Sequence, residues 1–463
     1  MGPNGKRVAF EPASSKRKTR SSSSALISPL PTNQKKRRSR SAQHELTSPP
    51  KSLLEDGPDY ACRDYLSSIF EFLSYAQVIN CSAVSKIWQQ CAREKLDEWQ
   101  IIETEQSHAV RGLKGRSPGK MRGPSSIAVL PGGELGVVDF LNRRIQVLSP
   151  RATEFSHSHS IHASDVVSTL KAGQAADGPF VGPTSAVPDG KGGLLVADNQ
   201  THTLYRLALP GHKESPAGGA VLARTGRHGR EADELWDPEG LALDEDGVLY
   251  VADSGNHRIV CFSTNCGSDS CGSSSRSSDS DDELTPLRSF GSAGFGDGQL
   301  SSPFGVAVTP AHQGGHVYVA DTLGNRVCVF TRAGAFVSSL GSRTHCSRTM
   351  RAPGSFNLPR SVSIVSGHLV VVEDRRLQVL TLEGHVRQVV EFGSGVDGLA
   401  PATNGVGIRV YSSPAPGKSP SSSPGAPSGE DEAGLWGVAA DAQRMYVSDS
   451  RRHRLHIFKL RGR

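Results

Sequence analysis

The most restrictive feature of this sequence is a unit of roughly 25 residues that recurs from residue 112 to the C-terminal end. Each copy contains three apolar runs separated by Gly, Asp or Asn turns, which is the pattern of a strand meander. Internal repetition decides an architecture more firmly than local propensity does, because each unit buries its apolar face only against its neighbours. The sequence therefore predicts a mainly β fold built from stacked meanders. The six copies begin near residues 123, 182, 237, 302, 358 and 435.

Charged residues stand at fixed places in these copies. In five copies an Asp precedes the first apolar residue of the next run by six positions, and in four of those five an Arg stands just before it. Opposite charges at the two ends of one hairpin can pair and hold its turn, so a structural role is predicted rather than ligand binding. The fifth copy is shorter by three residues at this turn, and the second has Thr203 instead of Arg, which leaves the pairing open there. The pattern comprises Asp139, Asp198, Asp253, Asp321 and Asp449 with Arg144, Arg258, Arg326 and Arg454.

The third copy carries the string VADSGNHRIVCF at 251–262, preceded by Pro238-Glu239-Gly240. This combination resembles the signature of NHL repeats, and six such units imply a six-bladed β-propeller over 101–463. Because the chain ends just after the third strand of the sixth copy, segment 99–110 is predicted to supply the outermost strand of that blade. Inserts at about 263–284 and 411–430 are rich in Ser, Gly, Asp or Pro and are predicted to be disordered.

Residues 1–55 differ in composition from the repeats. They are rich in Ser, Pro, Lys and Arg and lack apolar periodicity, so disorder is predicted there. Residues 1–52 hold twelve Lys or Arg and two acidic residues, a net charge of +10, so the rest of the chain carries −4 within the total of +6. Basic clusters of this kind serve either as nuclear import signals or as a polybasic tail, and cytoplasm, nucleus or both are open as locations. No stretch approaches 18 apolar residues, so no membrane partner is expected.

A helical pattern occupies 56–100. Leu66, Ile69, Phe70 and Leu73 follow the i, i+3, i+4, i+7 spacing of an amphipathic helix, and a similar run ends near Cys91. About 45 residues are close to the limit below which a helical bundle cannot bury enough surface alone. The module is therefore expected to need a partner or a neighbouring domain.

The spacing of Pro58, IFEFL at 69–73, and VSKIWQQCA at 84–92 resembles the F-box. An F-box implies docking to a Skp-type adaptor and, through it, a cullin scaffold. A helical hairpin that merely caps the propeller is the alternative. The residues assigned to the adaptor surface or module core are Pro58, Ile69, Phe72, Leu73, Val78, Ile79, Val84 and Trp88.

Catalysis by the chain itself is not predicted. The innermost strands of the repeats offer no set of His, Asp, Glu or Asn ligands for a metal, and no cofactor is expected. Gly115-Arg116-Ser117-Pro118-Gly119 fits GxSxG by letter, but no apolar strand precedes it and no helix follows, so a plain turn is predicted. The two classes that remain are a protein-binding receptor and an RNA-binding propeller.

The hairpin turns and inter-blade loops form one face of such a propeller, and the resemblance implies that some NHL propellers bind RNA stem-loops on this face. Arg and aromatic residues there suit either a protein hot spot or stacking on bases. The negative charge of the folded body favours protein, because RNA affinity rests on neutralised phosphates. The F-box resemblance then favours a substrate receptor of a cullin-type ubiquitin ligase, with an RNA-binding or scaffold protein as the alternative. The residues assigned to this face are Phe140, Arg143, Trp236, Phe304, Arg375, Arg451 and Arg452.

Overall fold

The structure of this chain is a computed structural model, and the described residues all lie in one compact unit within 58–463. The predicted basic tail, Pro58, Val84 and most of both predicted inserts lie outside the described residues. None of the described helices is long and apolar enough to cross a membrane. The described residues are 66, 68–81, 86–110, 114–149, 166–170, 180–213, 218–264, 284–341, 352–392 and 434–461.

Six antiparallel sheets of four strands form a six-bladed β-propeller, as the repeats predict. In blades one to five the four strands follow one another in the chain, from the innermost to the outermost. Blade one contains β2 (Pro124–Val129), β3 (Leu135–Asp139), β4 (Arg144–Leu148) and β5 (Val166–Leu170). Blade two contains β6 (Pro183–Pro188), β7 (Gly193–Asp198), β8 (Thr203–Ala208) and β9 (Val221–Thr225). Blade three contains β10 (Pro238–Leu243), β11 (Val248–Asp253), β12 (Arg258–Ser263) and β13 (Thr285–Phe290). Blade four contains β14 (Pro303–Val308), β15 (His316–Asp321), β16 (Arg326–Thr331) and β17 (Phe336–Leu340). Blade five contains β18 (Ser361–Val365), β19 (His368–Val372), β20 (Arg376–Leu380) and β21 (Val386–Glu391).

Blade six closes the propeller, because it combines the first strand with the last three strands. Its inner strands are β22 (Leu435–Ala440), β23 (Arg444–Asp449) and β24 (Arg454–Leu460), and its outermost strand is β1 (Ile102–Val110). Strand β1 pairs antiparallel with β24, with Ile102 opposite Leu460 and Val110 opposite Leu455. The predicted closure by segment 99–110 is therefore confirmed. Closure satisfies the backbone groups of β24, which would otherwise form an open sheet edge.

Adjacent blades approach one another most closely along their innermost strands. A Cβ atom on Gly240 would lie 2.3 Å from the Phe304 carbonyl oxygen, and one on Gly437 would lie 2.4 Å from the Ser125 carbonyl oxygen. Real Cβ contacts do not approach this distance, so only glycine fits at these places. The glycine of the PxG string is therefore required by the packing of one blade on the next.

The helical segment packs on the edge of blade five. Helical residues that end at Phe70 precede α1 (Tyr75–Cys81) and α2 (Lys86–Glu98). Phe70, Trp88 and neighbouring apolar side chains form a buried cluster that includes Val389 of β21. The Val389 amide also donates a hydrogen bond to the Tyr75 hydroxyl at 3.3 Å. The helices therefore cover the outermost strand of blade five, and this strand is the neighbour with which they share a core.

One glutamine ties blade five to the closing strand of blade six. The Gln388 side-chain oxygen accepts from the backbone amides of Ile101 and Ile102 at 3.1 and 3.0 Å, and its nitrogen donates to the Ile102 carbonyl at 2.9 Å. A buried side-chain amide with these backbone partners ties β1 to β21 of blade five. The helices, blade five and blade six are thereby held together.

Candidate functional site

Buried ion pairs close the hairpin between the second and third strands of most blades. Arg144 donates to Asp139 at 2.8 Å, Arg258 to Asp253 at 2.7 Å, and Arg326 to Asp321 at 2.8 Å. The predicted pairing of Asp with Arg is therefore present in blades one, three and four. We call the end of the propeller that carries these hairpins, and the starts of the innermost strands, the hairpin face.

The arginine of each pair also organises the loop that connects one blade to the next. Arg326 donates to the carbonyls of Phe295 and Gln299 at 2.7 and 2.8 Å. Arg144 donates to the carbonyls of Arg116 and Ser117 at 2.7 and 3.1 Å. The segment with the GxSxG letters is thus one of these turns between blades, as predicted. An arginine suits this role because its planar group offers five donors in a fixed geometry.

Three blades depart from the common pair. In blade five, where the shorter hairpin left the pairing open, Glu373 takes the place of Asp and pairs with Arg376 at 2.9 Å. In blade six, the His456 ring lies 3.2 Å from Asp449. In blade two, which has no arginine here, Asp198 accepts from backbone amides, including that of Val181 at 2.8 Å. Each substitute still supplies donors to a buried carboxylate, which is costly to leave unsatisfied.

A histidine in the same hairpins links each of three blades to the next. His257 Nδ1 accepts from the Ser302 amide at 3.3 Å, and His453 Nδ1 accepts from the Gly123 amide at 3.0 Å. His202 Nδ1 accepts from the Asp237 amide at 3.1 Å, and burial lowers the pKa of His202, with Asp237 opposing the shift. A neutral imidazole is needed for Nδ1 to accept. These histidines are structural inter-blade acceptors, a role that was not predicted from the sequence.

The residues assigned from sequence to the hairpin face do not form one group. Arg143 is exposed, and Phe140 is partly buried in the one-turn 3-10 segment beside it. Trp236 packs against His228, with ring centroids 5.3 Å apart, and lies under the Arg230 guanidinium at 5.6 Å. These contacts form a cluster at the boundary of blades two and three.

The arginines assigned to this face differ in exposure. Arg375 is exposed, and the side chain of Arg451 is 42% exposed. The side chain of Arg452 is only 3% exposed and lies 3.8 Å from the buried Asp449 carboxylate. Arg452 is therefore directed into blade six rather than available on the face.

Six side chains at the starts of the innermost strands form the inner ring of the hairpin face. Each stands at the start of an innermost strand, where the x of PxG lies. Phe304 of blade four and Trp436 of blade six contact each other with ring centroids 6.3 Å apart, and the Arg360 guanidinium lies 4.5 Å from the Trp436 centroid. Phe304 was assigned to this face from the sequence, whereas Arg360 and Trp436 were not, although all three occupy the same position of the repeat. The ring comprises Ser125, Thr184, Glu239, Phe304, Arg360 and Trp436.

Glu239 is the only carboxylate in this ring, and it is buried. Asn199 donates to its Oε1 atom at 3.0 Å. Burial raises the pKa of the Glu239 carboxyl to about 8, with the Asn199 hydrogen bond opposing the shift and Asp237 adding to it. At neutral pH the group is therefore mostly protonated and can donate a hydrogen bond. Within the described residues, no group of three or more His, Cys, Asp or Glu side chains could hold a metal ion.

Replacing Glu239 by Gln is expected to stabilise the protein increasingly as the pH rises. Above about pH 4.5 the unfolded chain releases the proton that the folded chain retains until about pH 8, so wild-type stability falls across this window. Glutamine keeps the shape and does not titrate. The difference in the free energy of unfolding between Glu239→Gln and the wild type can be measured in urea from pH 5 to 9. This difference should grow by up to about 1.4 kcal/mol per pH unit. The control is the same substitution at the exposed Glu231. A stability difference between Glu239→Gln and the wild type that does not change with pH would contradict the raised pKa of Glu239.

The residues assigned to an adaptor surface also separate into two sets. Val78 and Trp88 are buried in the cluster on blade five, whereas Ile69, Leu73 and Ile79 are partly buried against it. Phe72 is 87% exposed, in the turn between Phe70 and α1. Phe72 is therefore the member of this set that is most accessible to a partner.

Comparisons with known proteins give one family match and several distant likenesses. The NHL repeat model matches residues 235–262, so the chain contains an NHL repeat. Peptidyl-glycine alpha-amidating monooxygenases A and B of Xenopus laevis are each 30% identical over 211 residues, which is 43% of this chain and 20% or 21% of theirs. The chain thus spans about a fifth of the length of these relatives. Virginiamycin B lyase from Staphylococcus aureus, at 12% identity and a TM-score of 0.43, covers 77% of this chain and 99% of its own. A gluconolactonase from Xanthomonas campestris, at 13% identity and a TM-score of 0.43, covers 78% of this chain and 97% of its own.

Proposed function

For this six-bladed propeller with an NHL repeat, we propose a role as a non-catalytic, protein-binding receptor that serves a cullin-type ubiquitin ligase. The observation that carries the protein-binding part is the distribution of exposed apolar side chains. Five of the nine large hydrophobic residues that are exposed in the described part of the chain lie on the hairpin face. Exposed apolar groups collected on one face are typical of protein interaction sites. The five are Leu141, Val181, Phe295, Leu323 and Leu358.

The charge of this face also favours a protein partner over RNA. Exposed or half-exposed acidic side chains, Glu231, Asp233 and Asp237, stand close to Trp236 and Arg230. A phosphate backbone that crossed the face would meet these carboxylates, whereas a folded protein or a peptide can avoid them. Aromatic and arginine side chains beside apolar ones are the usual composition of a protein hot spot.

The ligase part of the proposal rests on the helical segment. Its cluster on blade five and the Gln388 contacts hold it in a fixed position relative to the hairpin face. A receptor in a ligase acts by holding its target at a fixed position, so a rigid connection suits the role. Phe72 is the side chain through which we propose that a Skp-type adaptor is contacted. The cullin scaffold would then bind through the adaptor.

Replacing Phe72 by Asp is expected to weaken adaptor binding at least tenfold and to leave the melting temperature unchanged. The side chain is 87% exposed, so a carboxylate there disrupts an apolar contact with a partner without disturbing the core. Binding of a purified Skp-type adaptor to the full chain can be measured by calorimetry. Replacing the exposed Gln89 by Asp on α2 introduces the same charge elsewhere and should have no effect. If the wild-type chain does not bind the adaptor, the ligase part is wrong and the protein-binding propeller remains.

A further inference from the structure

The turn that leads into blade one carries an exposed serine–proline pair. Ser117 and Pro118 are both exposed, and Lys120 follows the serine by three positions. The Lys120 amide donates to the Ser117 carbonyl at 3.0 Å, and the φ of Gly119 is 78°. Proline and glycine at the two central positions are the residues that a type II turn requires. The serine of the GxSxG letters therefore stands exposed at the start of a tight turn on the hairpin face.

The same turn recurs before blades three and four, which allows a comparison position by position. An isolated parallel bridge joins the first and last residues of each copy, at 114–121, 228–235 and 293–300. The fourth residues of the copies are Ser117, Glu231 and Gly296, and the seventh residues are Lys120, Glu234 and Gln299. Glu231 is exposed at the fourth position, so the turn accommodates a negative charge at the place of Ser117.

In the other two copies, the seventh side chain folds back onto the fourth residue. The Glu234 carboxylate accepts from the Glu231 amide at 3.0 Å. The Gln299 side-chain oxygen accepts from the Gly296 amide at 2.9 Å. An acceptor at the seventh position thus satisfies a backbone donor at the fourth position, as exposed turns commonly arrange.

Lys120 follows the same path but cannot make this hydrogen bond. A Cβ on Gly115, the second residue of its copy, would meet the Lys120 stem, just as one on the second glycine of the other copies would meet Glu234 or Gln299. An ammonium has three donors and no acceptor, so it has nothing to offer the Ser117 amide. What it can bind at the fourth position is an anion, and a phosphate on Ser117 would supply one.

We propose that Ser117 is phosphorylated by a proline-directed serine/threonine kinase and that Lys120 then holds the phosphate in the turn. Such a kinase selects a proline directly after the serine, and a basic residue at the third position adds to the match. The Ser117 Oγ forms a bond to the γ-phosphorus of ATP while the bond to the β-phosphate oxygen breaks. ADP leaves, and the serine proton passes to the catalytic base of the kinase. The inference goes beyond the proposed function and does not depend on it.

The phosphate would change the charge of the hairpin face. It adds about −1.5 to −2 charges at neutral pH. Asn142 donates to the Gly115 carbonyl at 2.7 Å and so joins this turn to the blade one hairpin, in which Leu141 is 51% exposed. The modification would therefore place a strong anion at the blade one sector of the face.

Incubation of the full chain with a purified kinase of this class and ATP tests the site. Phosphorylated residues are located by tandem mass spectrometry of the digested chain. The wild type should carry phosphate on Ser117, and Ser117→Ala should lack it. Pro118→Ala should be modified at least tenfold more slowly, because the kinase selects that proline. Melting curves establish that each variant is folded.

Two other serine–proline pairs of the chain serve as controls. Ser302 precedes a proline but is only partly exposed, its hydroxyl lies 3.0 Å from that of Ser254, and glycine stands at its third position, so it should remain unmodified. Ser48 in the basic tail precedes a proline and has Lys51 at its third position, so its modification reports that the kinase acts on this chain. Phosphate on Ser48 but none on Ser117 would overturn the inference.

The role of Lys120 has a readout of its own. An ion pair with Lys120 favours the dianion and should hold the second pKa of the Ser117 phosphate below its usual value of about 6. A titration followed by ³¹P NMR should show this pKa rising in Lys120→Gln, while that of the Ser48 phosphate stays the same. Equal values for the Ser117 phosphate in the wild type and in Lys120→Gln would overturn the pairing.

Discussion

Deletion of residues 102–110 is expected to abolish cooperative folding of the whole propeller. These residues form the outermost strand of blade six and pair with β24 over its length, from Leu455 to Leu460. Their loss exposes an open strand edge and removes Ile102, which is fully buried in the core shared by blades five and six. In a closed ring every blade depends on two neighbours, so a broken closure destabilises blades far from the deletion.

Circular dichroism and thermal melting of the truncated chain would measure this effect. Deletion of residues 2–57, which lie outside the described residues, removes more chain without touching β1 and should leave the transition where it is. The milder variant Ile102→Ala should lower the free energy of unfolding by about 2–5 kcal/mol, the usual range for a large buried aliphatic residue. A cooperative transition of wild-type midpoint after deletion of 102–110 would show that the ring closes without this strand.

Replacing Arg326 by Ala is expected to destabilise the protein by about 3–5 kcal/mol at neutral pH, because it leaves a buried charge without its partner. Arg326 and Asp321 are both almost fully buried and lie 2.8 Å apart. The substitution also removes the donors to Phe295 and Gln299, which hold the loop between blades three and four. The variant therefore loses an ion pair and an inter-blade anchor together.

The loss of stability in Arg326→Ala should increase as the pH rises. Burial raises the pKa of Asp321 above its ordinary value, and Arg326 opposes the shift. Without the arginine the folded protein holds the Asp321 proton to still higher pH than the unfolded chain does. Its stability then falls more steeply than that of the wild type as the pH rises above about 4. Urea unfolding at pH 4.5 and pH 7.5 should therefore give a larger difference at pH 7.5.

An exposed ion pair provides the comparison for the buried pair of Arg326 and Asp321. Arg227 pairs with Glu234 at 2.9 Å on the surface, and its side chain is 69% exposed. Replacing Arg227 by Ala should change stability little at either pH, since water screens exposed pairs. Equal effects of the Arg227 and Arg326 substitutions would contradict a special role for the buried pair.

Much of the fold was predictable because its determinants are local. The repeat pattern identified the innermost strands of all six blades, and the spacing of Asp321 and Arg326 predicted a pair that the structure contains. The shortened hairpin of blade five defeated the same reasoning. Its pair uses Glu373 instead, because a longer side chain reaches Arg376 across fewer residues.

The candidate site was less predictable, because its members come from different blades. Phe304 and Trp436 belong to blades four and six, and their contact depends on the width of the closed ring rather than on any local pattern. Arg452 was expected on the surface from its place in a hairpin. Its side chain instead turns toward Asp449, and the buried carboxylate accounts for that direction.

The sequence by itself determined the number of blades, the closing strand and the Asp–Arg pairs of blades one, three and four. The blade number follows from counting the repeats, and the pairs follow from the spacing of charges within one hairpin. The closing strand follows from the open sheet edge that the sixth repeat would otherwise leave. Only the tertiary structure decided that Arg360 lies on Trp436 and shares Asp374 with Arg451. Ring closure brings together residues from separate repeats, and the distances between them depend on how six blades pack around one axis.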